Sequence, residues 1–371
     1  MKITDVEALY LRLPVIQERT DSSQDALLVR ITTDAGIVGW GEVDGSPSVT
    51  KAIIEAPYSH TLVTGLRNLL IGEDPQDTTR LWQKMYQSTL YYGRDGAVVQ
   101  AMAGIDIALW DIKGQALGKP IVDLLGGAIR DRMRVYSSNM FQFSIEDTVT
   151  RAKTAVDTGH TGVKFGWEPF GADEKTDLAY VEAIRKAIGD DVDFMLDVGL
   201  VWDAKTTIRR AQLFQPYGLC WIEEPLHPDD YAGYGKVSRA CTQAIAAGEE
   251  ECSRVGFERL IDEGQIDIVQ IDLTRCGFTQ AMQIAAYAAS RGRKVCNHNF
   301  TTNINTAASL HFLCAIPNAY VMEYCVEPSE ISRHLARNPV RIEEGYAHLP
   351  TEPGLGVVPN DAVIEEYLVK P

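Results

Sequence analysis

Eight short apolar runs recur through the second two-thirds of this chain: "RVYSSN", "GVKFGW", "DFMLDVG", "CWIEEP", "AIAAGEE", "IDIVQIDL", "KVCNHNF" and "YVMEYC". Amphipathic stretches such as "DLAYVEAIRKAIG", "TTIRRAQLFQPYG" and "FTQAMQIAAYAASRG" separate them. Strand-like runs alternating with helical periods predict parallel βα units. Seven of the runs carry an ionisable residue at or near their C-terminal end: Lys164, Asp197, Glu223, Glu249, Asp272, His298 and Glu323. They are spaced by 33, 26, 26, 23, 26 and 25 residues. A (β/α)₈ barrel shares roughly 250 residues among eight units, so this spacing predicts one such residue per successive strand. A doubly wound open sheet would need a Gly-rich phosphate loop after its first strand, and none is present. The last unit is degenerate, because "PSEISRHLARNPVRIEEGYAHLPTEPGLG" is short on helix and rich in turns.

Active sites of such barrels lie at the C-terminal ends of the strands, where these seven side chains would converge. A lone lysine ending an apolar strand snorkels to water, and a lone carboxylate there is usually a helix cap. Seven together are too costly to bury without partners or a metal. Asp197, Glu223 and Glu249 fall on adjacent strands, and three oxygen donors without thiol or imidazole suit a hard divalent ion, Mg²⁺ before Zn²⁺. Asp272 and His298 fall on the next two strands, where a carboxylate would fix the imidazole tautomer and raise its basicity. Lys164 lies across the mouth, and Glu323 is placed to give a proton to a developing oxyanion. These are the parts for removing a proton α to a carboxylate.

The N-terminal third reads differently. "ITDVEALYLRL" and "ALLVRITTDAGIVGWGEV" alternate as strands, with Asp34-Ala35-Gly36 as a hairpin turn. Residues 50–127 carry helical periods and stop at Gly118-Lys119-Pro120. The expected organisation is an α+β capping domain over 1–127, a barrel over 133–325, and a segment over 326–371 that returns to the cap.

Charge excludes some functions. Against 51 acidic residues stand 35 basic ones, a net charge of −16, and no Lys/Arg-rich run offers a nucleic-acid surface. Seven scattered cysteines with no C-x-x-C pair suit reduced core thiols in a cytoplasm. No apolar run approaches a membrane span, and "MKITDVEALYLRLPV" reads as a strand rather than a leader.

These motifs together resemble the enolase superfamily, in particular its mandelate racemase subgroup. The resemblance is carried by "AMAGIDIALWDIKGQALGKPIVDLLGG" (101–127), "WIEEP", "GEE", "IDLTRCG" and the strand-seven histidine. It implies a modified (β/α)₇β barrel under an α+β cap. It also implies Mg²⁺ on Asp197, Glu223 (rather than Glu224) and Glu249, an Asp272–His298 dyad, and Glu323 hydrogen-bonding a substrate carboxylate. Two positions depart from the family. Strand two reads Lys164-Phe165-Gly166, where a second basic residue is common, and strand three reads Asp197-Val198-Gly199, where Asn is common. Loss of the second base disfavours racemisation. The reading is then a Mg²⁺-dependent dehydratase of a sugar acid, with a cycloisomerase of a sugar lactone or anhydro-sugar acid as rival. An epimerase comes third, and a barrel decayed to a scaffold is the non-enzymatic alternative. Trp167 and Arg275 are expected near the substrate, and the cap loops 14–26 and 91–96 are expected to carry specificity. The resemblance also implies a homo-oligomer of a size that the sequence leaves open.

Overall fold

The computed structural model describes residues 1–370. Strands β1 (Ile3–Arg12), β2 (Asp25–Thr33) and β3 (Val38–Val43) form an antiparallel sheet. Val6 is opposite Ile31, and Leu28 is opposite Glu42. The expected hairpin joins β2 to β3, with Gly36 at φ 76° supplying the left-handed residue the turn needs. Helices α1 (Pro47–Glu55), α2 (Leu66–Leu70), α3 (Thr78–Ser88) and α4 (Ala97–Leu117) cover one face. A Cβ on Gly41 would stand 1.9 Å from the Gly104 carbonyl, so glycine is what lets α4 lie directly on β3. Helix α4 is apolar nearly all round because it is sandwiched between this sheet and the barrel. It stops at Gly118, a left-handed C-cap, one residue before Lys119-Pro120.

After α5 (Ile121–Leu124) come eight parallel strands: β4 (Arg132–Met140), β5 (Gly162–Gly166), β6 (Asp193–Asp197), β7 (Leu219–Glu223), β8 (Ala244–Ala247), β9 (Ile268–Ile271), β10 (Lys294–Asn297) and β11 (Met322–Cys325). Between them run α6 (Ile145–Asp157), α7 (Glu174–Ile188), α8 (Ala204–Phe214), α9 (Tyr231–Ala240), α10 (Arg254–Asp262), α11 (Leu273–Ser290) and α12 (Asn303–Ala315). Consecutive strands from β4 to β10 pair in order, and β11 pairs with β4, Glu323 opposite Tyr136. The ring closes between β10 and β11. Val295 N–H donates to Asn318 O (2.9 Å), and Tyr320 N–H donates to Val295 O (2.8 Å). The Asn297 amide side chain continues that ladder, accepting from Glu323 N–H (2.8 Å) and donating to Glu323 O (3.3 Å). The chain is a (β/α)₇β barrel with an α+β cap.

The degenerate last unit has a structural cause. β11 is followed directly by the short α13 (Glu330–His334), then β12 (Ile342–Glu343) and β13 (Tyr346–His348), in place of a barrel helix. β13 lies antiparallel on β4, so this part of the C-terminal segment stays with the barrel. The remainder crosses to the cap. Leu355 N–H donates to Asp111 of α4, and beyond α14 (Asp361–Tyr367) Val369 N–H donates to Tyr10 O of β1. Among the described residues all seven cysteines are free thiols, and no helix is long and apolar enough to cross a membrane.

Candidate active site

The strand register delivers three carboxylates to one point. Asp197 ends β6, Glu223 ends β7 directly opposite it, and Glu249 follows β8 by two residues. One oxygen from each lies within 4.8 Å of the others, and all three side chains are buried. Burial, reinforced by Glu223 and Glu249, pushes the Asp197 carboxyl well above its usual range; burial and Glu223 push Glu249 up to about 7. Glu249 Oε2 has no hydrogen-bond partner. A buried, all-oxygen donor set with an orphaned lone pair and mutual repulsion fits a hard divalent cation. Neighbouring Glu224 has φ 38°, and its side chain turns away to accept from Tyr234 Oη and from Gly248 N–H (2.7 Å). Of the Glu-Glu pair, only Glu223 faces the triad.

Lys164 reaches the same point from β5. Its ammonium contacts Glu223 Oε1 and lies 2.6 Å from Glu323 Oε1. Burial opposes the charge, but Glu223, Glu323 and Asp197 outweigh it and raise the lysine well above its usual value. Glu323 also accepts from Ser138 Oγ (2.7 Å) and Asn299 N–H (2.7 Å). Burial alone would raise it, yet Lys164 and His298 hold it below the usual carboxylate range. The sequence expects Glu323 to give a proton to a developing oxyanion, and the family resemblance expects it to hydrogen-bond a substrate carboxylate; in the fold its carboxyl closes on Lys164 across the barrel.

Gly166 ends the same strand, and Trp167 follows it. A Cβ on Gly166 would stand 2.6 Å from Asp197 Oδ2. Trp167 has φ 65°, and its indole covers Gly199, where a Cβ would stand 2.8 Å from Trp167 Cε3. The two glycines are linked in packing: one leaves room for a carboxylate of the triad, the other for the indole beside it.

Across the mouth, His298 Nδ1 lies 2.7 Å from Asp272 Oδ2. Asp272 is the N-cap of α11; its other oxygen accepts from Thr274 N–H (2.7 Å) and Asn305 Nδ2 (3.2 Å), which fixes the carboxylate plane. His298 Nε2 stands 3.8 Å from Glu249 Oε2. Burial would lower the imidazole, but Glu249 and Asp272 push it up to about 10. A cation held by the triad would offset the Glu249 share and favour the neutral ring.

Of these groups Lys164, Gly166, Trp167, Asp197, Glu249 and His298 line a cavity of about 120 Å³. Met140, Trp167 and Phe300 form an apolar wall; Glu249, Glu250, Arg275 and His298 form a polar one. Arg275 lines it, while donating to Asp44 Oδ2 (3.0 Å) and to the Glu249 carbonyl (2.6 Å). The sequence reading missed Asp44, whose signal was an acid immediately after the strand "GWGEV". It also missed Ser138, Asn297 and Asn299, the polar residues that flank His298 and line β4. Of the two cap loops, 14–26 reaches the cavity through Thr20 and Ser22. Loop 91–96 does not: Asp95 accepts from Cys252 Sγ (2.8 Å) and Ser253 Oγ (3.1 Å), fastening the cap to the β8–α10 connection.

Residues 3–126 match the mandelate racemase / muconate lactonizing enzyme N-terminal domain, and residues 147–363 match the enolase C-terminal domain-like family. The chain belongs to the enolase superfamily, in its mandelate racemase branch. This superfamily member is 32% identical to D-galactarolactone cycloisomerase of Agrobacterium fabrum, over 99% of each chain. It is 34% identical to D-galactonate dehydratase of Verminephrobacter eiseniae, covering 92% of this chain and 90% of that one. Among solved structures, 3,6-anhydro-D-galactonate cycloisomerase of Zobellia galactanivorans superposes with a TM-score of 0.91 at 30% identity, covering both chains fully.

Proposed function

We propose that this enolase superfamily member is a Mg²⁺-dependent hydro-lyase that converts a sugar acid to its 2-keto-3-deoxy acid. The carrying observation is that one face of the cavity holds an imidazole oriented by a carboxylate, His298 on Asp272, while the second strand-two position holds only Gly166. With a single base, a proton removed from one face has no partner on the other to return it with inversion, so elimination is favoured over racemisation.

Asp197, Glu223 and Glu249 would hold the ion. When bound, it supplies positive charge to the substrate carboxylate and to the second charge that develops there as the α-carbon is deprotonated. Lys164, kept charged by Glu323, binds the same carboxylate. His298 Nε2 takes the α-proton, and the C–H electron pair moves into the Cα–carboxylate bond. The β-hydroxyl then leaves as water, taking its proton from His298, and the resulting enol tautomerises to the ketone. Asp272 keeps the ring oriented through Nδ1.

Ring opening of a lactone or anhydro-sugar acid uses the same α-proton removal. Two full-length cycloisomerase relatives support it as the second reading. Incubating the Mg²⁺-loaded protein with sugar acids and lactones, with mass spectrometry of the products, decides between them. A 2-keto acid one water lighter than its substrate supports dehydration, and an isomer of unchanged mass supports ring opening. Deuterium wash-in with inversion and no new keto acid overturns both.

A further inference from the structure

We infer that the substrate is a monocarboxylate with an uncharged far end, and that Glu250 together with the register of loop 14–26 excludes diacids. This rests on the sugar-acid reading above and narrows it. The first carboxylate of any substrate has its place, at the carboxylate triad and Lys164. A second one would need another cation, and every cation at the cavity is already engaged. Lys164 is held between Glu223 and Glu323. Arg275 is shared by Asp44 (3.0 Å), the Glu249 carbonyl (2.6 Å) and Glu250 (3.5 Å). His298 faces Glu249 and Asp272.

The cap loop could have supplied one more, because Arg19 sits in it. The loop alternates, however. Thr20 and Ser22 point into the cavity, while Arg19, Asp21 and Ser23 line a separate depression behind it. There Arg19 stands 3.9 Å from both Asp21 and Glu327, and Glu327 is also paired with Arg151. The loop therefore offers hydroxyls to the far end of a ligand and withholds its charge. Glu250 lies on the same cavity wall, partly exposed, and opposes a second anion while accepting from hydroxyl groups. Met140, Trp167 and Phe300 complete the enclosure with apolar surface that a carboxylate would have to desolvate against.

The test is calorimetric, on the Mg²⁺-loaded His298→Asn protein, which is expected to bind without turnover. D-gluconate, D-galactonate and D-xylonate form one set of ligands; D-glucarate and galactarate form the other. The monoacids are expected to bind on the order of 30-fold more tightly. In the His298→Asn, Glu250→Gln double variant that ratio is expected to shrink several-fold, mainly through tighter diacid binding. Diacids binding as tightly as monoacids, or neither class binding, overturns the inference; an unchanged ratio in the double variant removes Glu250 from it. A wild-type protein that binds monoacids yet releases no keto acid from them sinks the dehydratase reading and leaves the substrate class standing.

Discussion

Gly166 and Asp197 lie side by side on neighbouring strands, so close that a Cβ on the glycine would stand 2.6 Å from the carboxylate oxygen. The side chain missing from strand two is thus the space in which a triad carboxylate stands. Gly166→Ala is expected to displace Asp197 and to weaken divalent-ion binding by about tenfold, the scale of disturbing the support of a ligand. Titration of the stripped protein with Mg²⁺ measures this, and unchanged affinity would show that Asp197 relaxes without cost.

The Glu-Glu pair at the end of β7 is expected to separate metal holding from support. Glu223→Gln removes a triad charge and is expected to lose Mg²⁺ affinity by more than about 100-fold. Glu224→Gln keeps the triad intact, because Glu224 bonds Tyr234 and Gly248 instead. Its loss should remain within about tenfold. Equal losses in the two variants would refute the assignment.

The dyad makes a kinetic forecast. Asp272→Asn leaves the imidazole in place but reverses the hydrogen bond that fixes its tautomer, so kcat should fall by about 10⁴, as in other His-carboxylate pairs. Magnesium affinity should hardly change. His298→Asn should abolish both turnover and exchange of the substrate α-proton in D₂O, read by NMR. Retained exchange in that variant would place the base elsewhere.

Asp106 is expected to couple stability to pH. It is buried on α4, where it accepts from Thr279 N–H (2.8 Å) and Thr279 Oγ1 (2.6 Å) across the cap–barrel boundary. Burial outweighs those bonds and pushes it up to about 7. The unfolded chain gives up that proton near pH 4. Between those values the folded state binds more protons, so this group's stabilising contribution is full at acid pH and is lost as pH rises toward 7. Asp106→Asn should remove that part of the slope in urea unfolding followed from about pH 5 to pH 8. Parallel slopes in wild type and variant would contradict it.

Asp111, one turn along α4, ties three segments together. It accepts from Trp40 N–H (3.0 Å) in β3 and Leu355 N–H (2.9 Å) in the C-terminal segment, and its side chain bonds Gln115. Asp111→Ala strands two backbone donors and should cost about 3 kcal/mol. Urea unfolding at neutral pH gives the number, and a loss below about 1 kcal/mol would mean that water replaces the carboxylate.

Much of this protein was legible before any contact was known. Strands of period two and helices of period 3.6 are properties of neighbouring residues, so they marked eight barrel strands, the cap hairpin and the stop after α4. Because the ionisable residues sit where strands end, the spacing also determined which seven side chains would meet. What each does on meeting is a matter of distances between residues far apart in the chain. Tertiary structure alone decided that Glu323 is a carboxylate locked to Lys164, 159 residues away. It decided that Arg275 is held by Asp44 of the cap, and that loop 91–96 is a fastening rather than a wall. It also decided that loop 14–26 turns Thr20 and Ser22 inward and Arg19 out. No local period carries that information, because a buried charge takes its state from whatever group the fold brings within hydrogen-bonding reach.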